Sequence, residues 1–218
     1  MSRLYLMLIV FLILLLTGCQ VEEAVIEEIE EVEEVEEFVP DPYLHLKRNQ
    51  PELYEAYVSS FIHVDEVPEE VIVEEFSVGR IIIPAIDVDY FVQGGVDIYD
   101  PVYLNRGPVH MQMTDLPSNM PSNVSIGGHR MGPMHFFDLD QLEEGDLIFL
   151  DIKGYRFTYA VLWQEILDKY DWSIIDEKTD YPALSLQTCE PKYAGLDPDY
   201  RLFVRAKLVG VGKAIPLE

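Results

Sequence analysis

The chain predicts an all-β domain, an antiparallel barrel or sandwich of seven to eight short strands, behind an acidic N-terminal extension. Three observations carry that prediction. From Phe76 onward, short apolar runs alternate with Gly, Pro, Asn and Asp, the texture of strands joined by turns. Little of the intervening sequence has helical periodicity, and a parallel sheet would need regular crossover helices. About two hundred residues follow an N-terminal apolar segment, enough for one domain with a real core plus some peripheral chain.

Taken in order, residues 1–18 read as a signal peptide: Arg3 precedes an unbroken apolar run from Leu4 to Leu16, short for a membrane span but suited to a signal core. The run ends Leu16-Thr17-Gly18-Cys19, which resembles a bacterial lipoprotein signal whose cleavage leaves a lipid-bearing cysteine. Cys19 is therefore the expected lipidation site, and the domain is expected on the extracytoplasmic face of the cell membrane. An uncleaved N-terminal anchor is the alternative. Residues 19–42 form an expected acidic stalk, with ten glutamates and no basic residue between Glu22 and Glu37. The apolar positions 21, 25, 29, 32 and 35 fall on one helical face, but like charges crowd the other. Residues 43–75 read as a helical lead-in, with Leu44, Leu53, Tyr54, Tyr57, Val58 and Phe61 at roughly helical spacing around Pro51.

Residues 76–218 are the expected globular domain. Strands are predicted at Val78–Ile83, Val88–Val92, Val124–Ile126, Leu147–Ile152, Phe157–Trp163, Ala183–Thr188 and Leu202–Val211. Lys153-Gly154 is the turn of a hairpin. A single helical turn is expected within Phe136–Leu142, and a long loop over Tyr170–Glu177. The formal charge of −25 argues against nucleic acid, which needs a basic surface. From Phe38 to Glu218 thirty acidic residues still face fourteen basic ones, so the domain itself is acidic.

Chemistry points to Cys189. With Cys19 lipidated it is an unpaired thiol in a compartment where thiols usually pair, and it closes an apolar strand. A cysteine nucleophile needs a proton-transfer partner and a donor for the developing oxyanion. His45 and His63 lie in the peripheral region, leaving His110, His129 and His135. His129 follows a strand and two glycines that let the backbone approach closely. Arg201 opens the last strand and returns beside the thiol if the two strands pair. On residue type alone, His129 and Arg201 are more commonly surface or structural residues.

Three motifs in order, Gly128-His129-Arg130, Leu186-Gln187-Thr188-Cys189 and Tyr200-Arg201-Leu202-Phe203-Val204, resemble the active-site motifs of sortases, the cell-wall transpeptidases of Gram-positive bacteria. The resemblance runs from about Phe76 to Val211. It includes Gly79-Arg80-Ile81-Ile82-Ile83-Pro84, Gly107-Pro108-Val109-His110 and Leu142-Glu143-Glu144-Gly145-Asp146, and looks closer to classes D and E than to class B. It implies a closed antiparallel β-barrel with short helices. It also implies a cysteine transpeptidase acting on a Leu-Pro-X-Thr-Gly-like sorting signal. Cys189 would form the thioacyl enzyme, His129 would move the proton, Arg201 would hold the substrate carbonyl or oxyanion, and Thr188 would add a backbone or hydroxyl contact. The implied partners are secreted proteins with C-terminal sorting signals and an amine on cell-wall precursor or pilin.

Several readings compete with these. His110 and His135 are expected to be structural and loop residues. Ser185 stands where the family commonly has threonine, but it keeps a hydroxyl and is expected to be tolerated. Pro117–Asn123 replaces a glycine-containing turn, which raises an idle peptide-binding lipoprotein as an alternative. A cysteine peptidase resolving the thioester with water is another. Glu190, Asp197 and Asp199 flank the site and would favour a basic peptide tail, although solvated loop acids are the plainer account. They are also carboxylates of the kind that bind Ca²⁺, but their spacing matches no calcium motif, so no cofactor or metal is assigned.

Overall fold

The structure, a computed structural model, describes residues 61–63, 69–132, 135–193 and 198–214. The signal segment, Cys19, the acidic stalk and the lead-in as far as residue 60 lie outside the described residues.

Nine strands are described: β1 (Phe61–His63), β2 (Val78–Ile83), β3 (Val88–Gln93), β4 (Val109–His110), β5 (Ser122–Gly127), β6 (Leu147–Ile152), β7 (Tyr155–Asp168), β8 (Pro182–Glu190) and β9 (Tyr200–Lys213). Helical turns occur at Pro84–Ile86, α1 (Pro101–Leu104), Leu139–Gln141 and α2 (Ser173–Asp176). The ladder runs β9-β7-β6-β2-β3-β4-β5-β8 and closes through β8 on β9, making an eight-stranded barrel with β1 added to β9. Closure removes the open edges that a sheet would otherwise have to protect.

All seven predicted strands are present. The two extra ones, β1 and β4, are three and two residues long, too short to show a period-2 pattern. β1 corrects the lead-in reading: Phe61, taken as part of a helical stripe, belongs to a strand paired with Gly210–Gly212. Backbone pairing to a sheet overrides a weak helical spacing. Two pairings are parallel, β3 with β4 and β5 with β8. The β6–β7 hairpin turns at Lys153 and Gly154, both at positive φ (51° and 84°), as a two-residue turn of right-handed-twist type requires.

Alternation along β8 and β9 produces two cores and places the site. Leu184 and Leu186 of β8, with Leu202, Val204, Ala206 and Leu208 of β9, join the main core inside the barrel. The intervening residues, Ser185, Gln187 and Cys189 on β8 and Arg201, Phe203 and Arg205 on β9, take the opposite face. Phe203 there packs in a second, smaller cluster with Ile98, Val109, Met111, Ile174 and Ile175. The connections carrying α1 and α2 thus roof one face of the barrel, and a cleft remains at the end of that roof.

Candidate active site

The parallel β5–β8 ladder brings the first two motifs together. Its last pair is Gly127 with Gln187, and Gly128 N donates to Gln187 O at 3.0 Å. His129 and Cys189 each lie two residues past that pair, at the same level on neighbouring strands. Both glycines are needed for close packing: a Cβ on Gly127 would stand 2.4 Å from Ile98 Cδ1, and one on Gly128 2.8 Å from Phe136 Cδ2. The antiparallel β8–β9 ladder supplies the third residue, with Cys189 directly opposite Arg201. Directly opposed residues project from the same face.

His129, Cys189 and Arg201 line one cleft of about 240 Å³ with Ile98, Tyr99, Leu104, Trp172, Gln187 and Thr188. All three are half-buried, so each is reachable and partly dried. Its walls are apolar and aromatic; Tyr99 and Trp172 meet edge to face at 6.4 Å.

His129 is oriented by a residue that the sequence reading missed. Its Nε2 lies 3.0 Å from Asn105 Oδ1, at the end of α1. That oxygen only accepts, so Nε2 carries a proton and Nδ1 is the nitrogen free to gain and lose one. Nothing local in Asn105-Arg106-Gly107 marks the asparagine, because the contact spans 24 residues. Burial, and then the neighbouring His135, hold the His129 pKa below its ordinary value, which favours the neutral ring at neutral pH. His135, expected as a simple loop residue, is instead buried with its ring edge-to-face on His129 at 5.1 Å. His110 is structural as expected: it is buried, its Nε2 donates to Asp115 O at 2.9 Å, and burial lowers its pKa.

Arg201 uses one nitrogen locally, Nη1 donating to Pro198 O at 2.8 Å and Tyr200 O at 2.9 Å. Its Nε and Nη2 have no hydrogen-bond partner among the described residues, so they remain as donors. Thr188 is buried, with no hydrogen-bond partner for Oγ1 among the described residues, and alternation turns its side chain toward the main core.

The flanking acids are engaged. Glu190 Oε2 lies 3.5 Å from Arg130 Nη2, and Asp199 Oδ1 lies 3.4 Å from Lys169 Nζ, while Asp197 lies outside the described residues. Paired carboxylates have less charge to offer a basic peptide tail. No group of three or more His, Cys, Asp and Glu placed to hold a metal occurs among the described residues. Pro117–Asn123 does not line the cleft. It holds the segment before β2: Asn119 Oδ1 accepts from Val71 N at 2.9 Å, and Val73 N donates to Pro117 O at 3.0 Å.

A family profile for the Sortase domain matches residues 81–209. The chain belongs to the sortase family. Sortase D of Bacillus subtilis (strain 168) is 31% identical over 121 residues, which is 55% of this chain and 58% of that relative. The chain thus matches less than two thirds of that relative's length. Among solved structures, sortase C of Streptococcus pneumoniae, described for its catalysis and pilin substrate specificity, superposes with a TM-score of 0.57. It is 25% identical and is matched over 66% of this chain and 73% of its own. Sortase C-1 of Actinomyces oris gives 0.55 at 26% identity, over 62% and 73%. Sortase A of Listeria monocytogenes, 24% identical, shares the fold with a TM-score of 0.56 over 64% and 92%. The closeness to class D suggested by the motifs agrees with the Bacillus relative.

Proposed function

We propose that this sortase-family protein is a cysteine transpeptidase that cleaves a Leu-Pro-X-Thr-Gly-like sorting signal and passes the acyl group to an amine. The observation that carries the reading is the placement of Cys189 level with His129 across one strand pair and opposite Arg201 across the next, in a single cleft.

In the proposed cycle the Cys189 thiol gives its proton to Nδ1 of the neutral His129 ring as Sγ attacks the carbonyl carbon of the Thr-Gly bond. The charge developing on the carbonyl oxygen meets the unengaged donors of Arg201, a cation that cannot be neutralised. Collapse breaks the carbon–nitrogen bond, and the departing amine takes the proton carried at Nδ1 of His129. The incoming amine attacks the thioester and gives a proton to the same nitrogen, and the expelled Sγ takes that proton up, restoring the thiol and the neutral ring. The Thr188 backbone flanks the acyl group. The acceptor is an amine of cell-wall precursor or pilin, and the donors are secreted proteins carrying C-terminal sorting signals. The similarity to sortase C of Streptococcus pneumoniae, described for pilin substrates, supports that class of partner. We place the enzyme on the extracytoplasmic face of the cell membrane, attached through a lipid on Cys19. A fatty-acid label incorporated in cells and lost in Cys19→Ala tests the attachment.

The test of function is turnover of a panel of sorting peptides with and without added amines. Cys189→Ala and His129→Ala are expected to abolish cleavage, and amines are expected to divert product from acid to amide. Cleavage retained in full by Cys189→Ala would sink the mechanism. Acid product alone, at every amine concentration, would make the protein a peptidase.

A further inference from the structure

We propose that Arg130 is a positioning residue that sets the spacing between His129 and Cys189. The inference rests on the transpeptidase reading above. It starts from register. The β5–β8 ladder ends at Gly127 with Gln187, and beyond it the two strands no longer exchange paired backbone bonds, apart from Gly128 N to Gln187 O. Extending the same register puts His129 level with Cys189 and Arg130 level with Glu190. His129 therefore sits on a chain end that has left the sheet, whereas Cys189 is still held on its other side by β9, opposite Arg201.

Arg130 ties the His129 end back to β8 with a side chain. Its Nη2 lies 2.7 Å from Asp140 Oδ1 and 3.5 Å from Glu190 Oε2. Asp140 belongs to the helical turn Leu139–Gln141 and also lies 3.4 Å from Lys192 Nζ, just past β8. One guanidinium thus ties the residue after His129 to the residue after Cys189, and braces both against a third element. A planar, permanently charged fork serves this purpose better than a flexible ammonium.

Stability does not explain the arginine. It is 4% exposed, and its Nε and Nη1 have no hydrogen-bond partner among the described residues. A buried cation with two unmet donors is a poor way to fill a core, and an apolar side chain of similar volume is often neutral or better there. What the apolar side chain could not do is hold Glu190. Reaction rates respond steeply to such spacing, since a misplacement of about 1 Å can cost about a hundredfold.

The experiment compares Arg130→Met, Arg130→Lys and Glu190→Gln with the parent full-length protein by thermal melting, peptide turnover and the pH profile of Cys189 alkylation by iodoacetamide. His129→Ala serves as the uncoupled reference. His135, Lys169 and Arg201, the other titratable or charged groups around the pair, stay in place throughout. Arg130→Met is expected to melt at or near the parent's temperature while kcat falls about 10- to 100-fold at unchanged KM, with Arg130→Lys restoring part of the loss. Its alkylation profile should move onto that of His129→Ala. A kcat and alkylation profile equal to the parent's would overturn the proposal, as would a parent profile identical to that of His129→Ala, since there would then be no coupled pair to hold. If Arg130→Met does not fold, Glu190→Gln carries the same readings with the same meanings. Alkylation needs no sorting peptide, so the positioning role stands or falls separately from the transpeptidase reading, which Cys189→Ala decides.

Discussion

Two arginines on one strand, four residues apart, sit in opposite circumstances. Arg201 opens β9 opposite Cys189, half-buried, with one nitrogen bonded to nearby carbonyls and the others without a hydrogen-bond partner among the described residues. Arg205 lies opposite Ser185 and is fully buried. Its Nη1 donates to Asn123 Oδ1 at 2.8 Å, and its Nη2 to Ile174 O at 3.0 Å and Glu177 Oε2 at 2.6 Å. Asn123 Nδ2 in turn donates to Ile174 O, Ile175 O and Glu177 O. Arg205 is therefore spent on fastening the α2 connection, with Trp172 at the cleft, to β5 and β9. The difference teaches that residue type and strand position do not assign an arginine's role; whether its spare donors open onto the cleft does.

The comparison breaks or holds on two substitutions. Arg201→Ala is expected to lower kcat by about 10² to 10³ with little change in melting temperature, measured by steady-state peptide turnover beside a thermal melt. Arg205→Met should do the reverse. It removes the charged donor from Asn123 Oδ1 and from Ile174 O, leaving each with one neutral donor, and is expected to cost about 2–3 kcal/mol of stability, read by denaturant unfolding, while kcat per folded molecule holds. A stable Arg205→Met protein with collapsed kcat would move the buried network into the chemistry and end the distinction.

The same contrast explains what could be read in advance. The seven longer strands follow from their own residues, because apolar runs and turn formers are local signals. Cys189 and Arg201 were legible because their motifs sit at strand ends, and strand pairing does the rest. Asn123 was not: as part of Pro117–Asn123 it reads as loop, yet it serves contacts 51 to 82 residues away. Ser185 was expected to be tolerated for its hydroxyl, and that hydroxyl donates to Asn123 Oδ1 at 3.4 Å. His135 looked like a turn residue because the ring it meets, His129, is brought to it only when the loop closes through Phe136 N on His129 O at 3.0 Å. Polar partnerships across the fold leave no periodicity, so composition cannot announce them.

A finer test of the cleft side is Asn105→Ala. The amide neither reacts nor carries charge; it fixes which nitrogen of His129 holds the standing proton. Losing it frees the ring to adopt either tautomer. kcat is expected to fall by about tenfold, short of the 10² to 10⁴ that a general acid-base group contributes itself. A loss as large as that of His129→Ala would mean that Asn105 touches substrate, and the cleft would contain one more working group than the proposed Cys189, His129 and Arg201.

The smallest expected effect concerns acid, and it separates a histidine at work from one in the frame. Burial lowers the pKa of both His129 and His110. A depressed pKa means that the unfolded chain takes up the proton first, so stability rises with pH between the folded value and about 6.5 and is lost as pH falls through that window. His110 is the more deeply buried and donates to a fixed carbonyl, so it should account for more of the loss. His110→Gln, which keeps a donor for Asp115 O, is expected to flatten the stability curve between about pH 5 and 7 and to leave the acid limb of turnover in place. His129→Gln should remove turnover and change the stability curve less. If His110→Gln shifted the acid limb of turnover instead, the frame and the working group would be electrostatically coupled, and the cleft's pH response could no longer be assigned to His129 and its neighbour His135 alone.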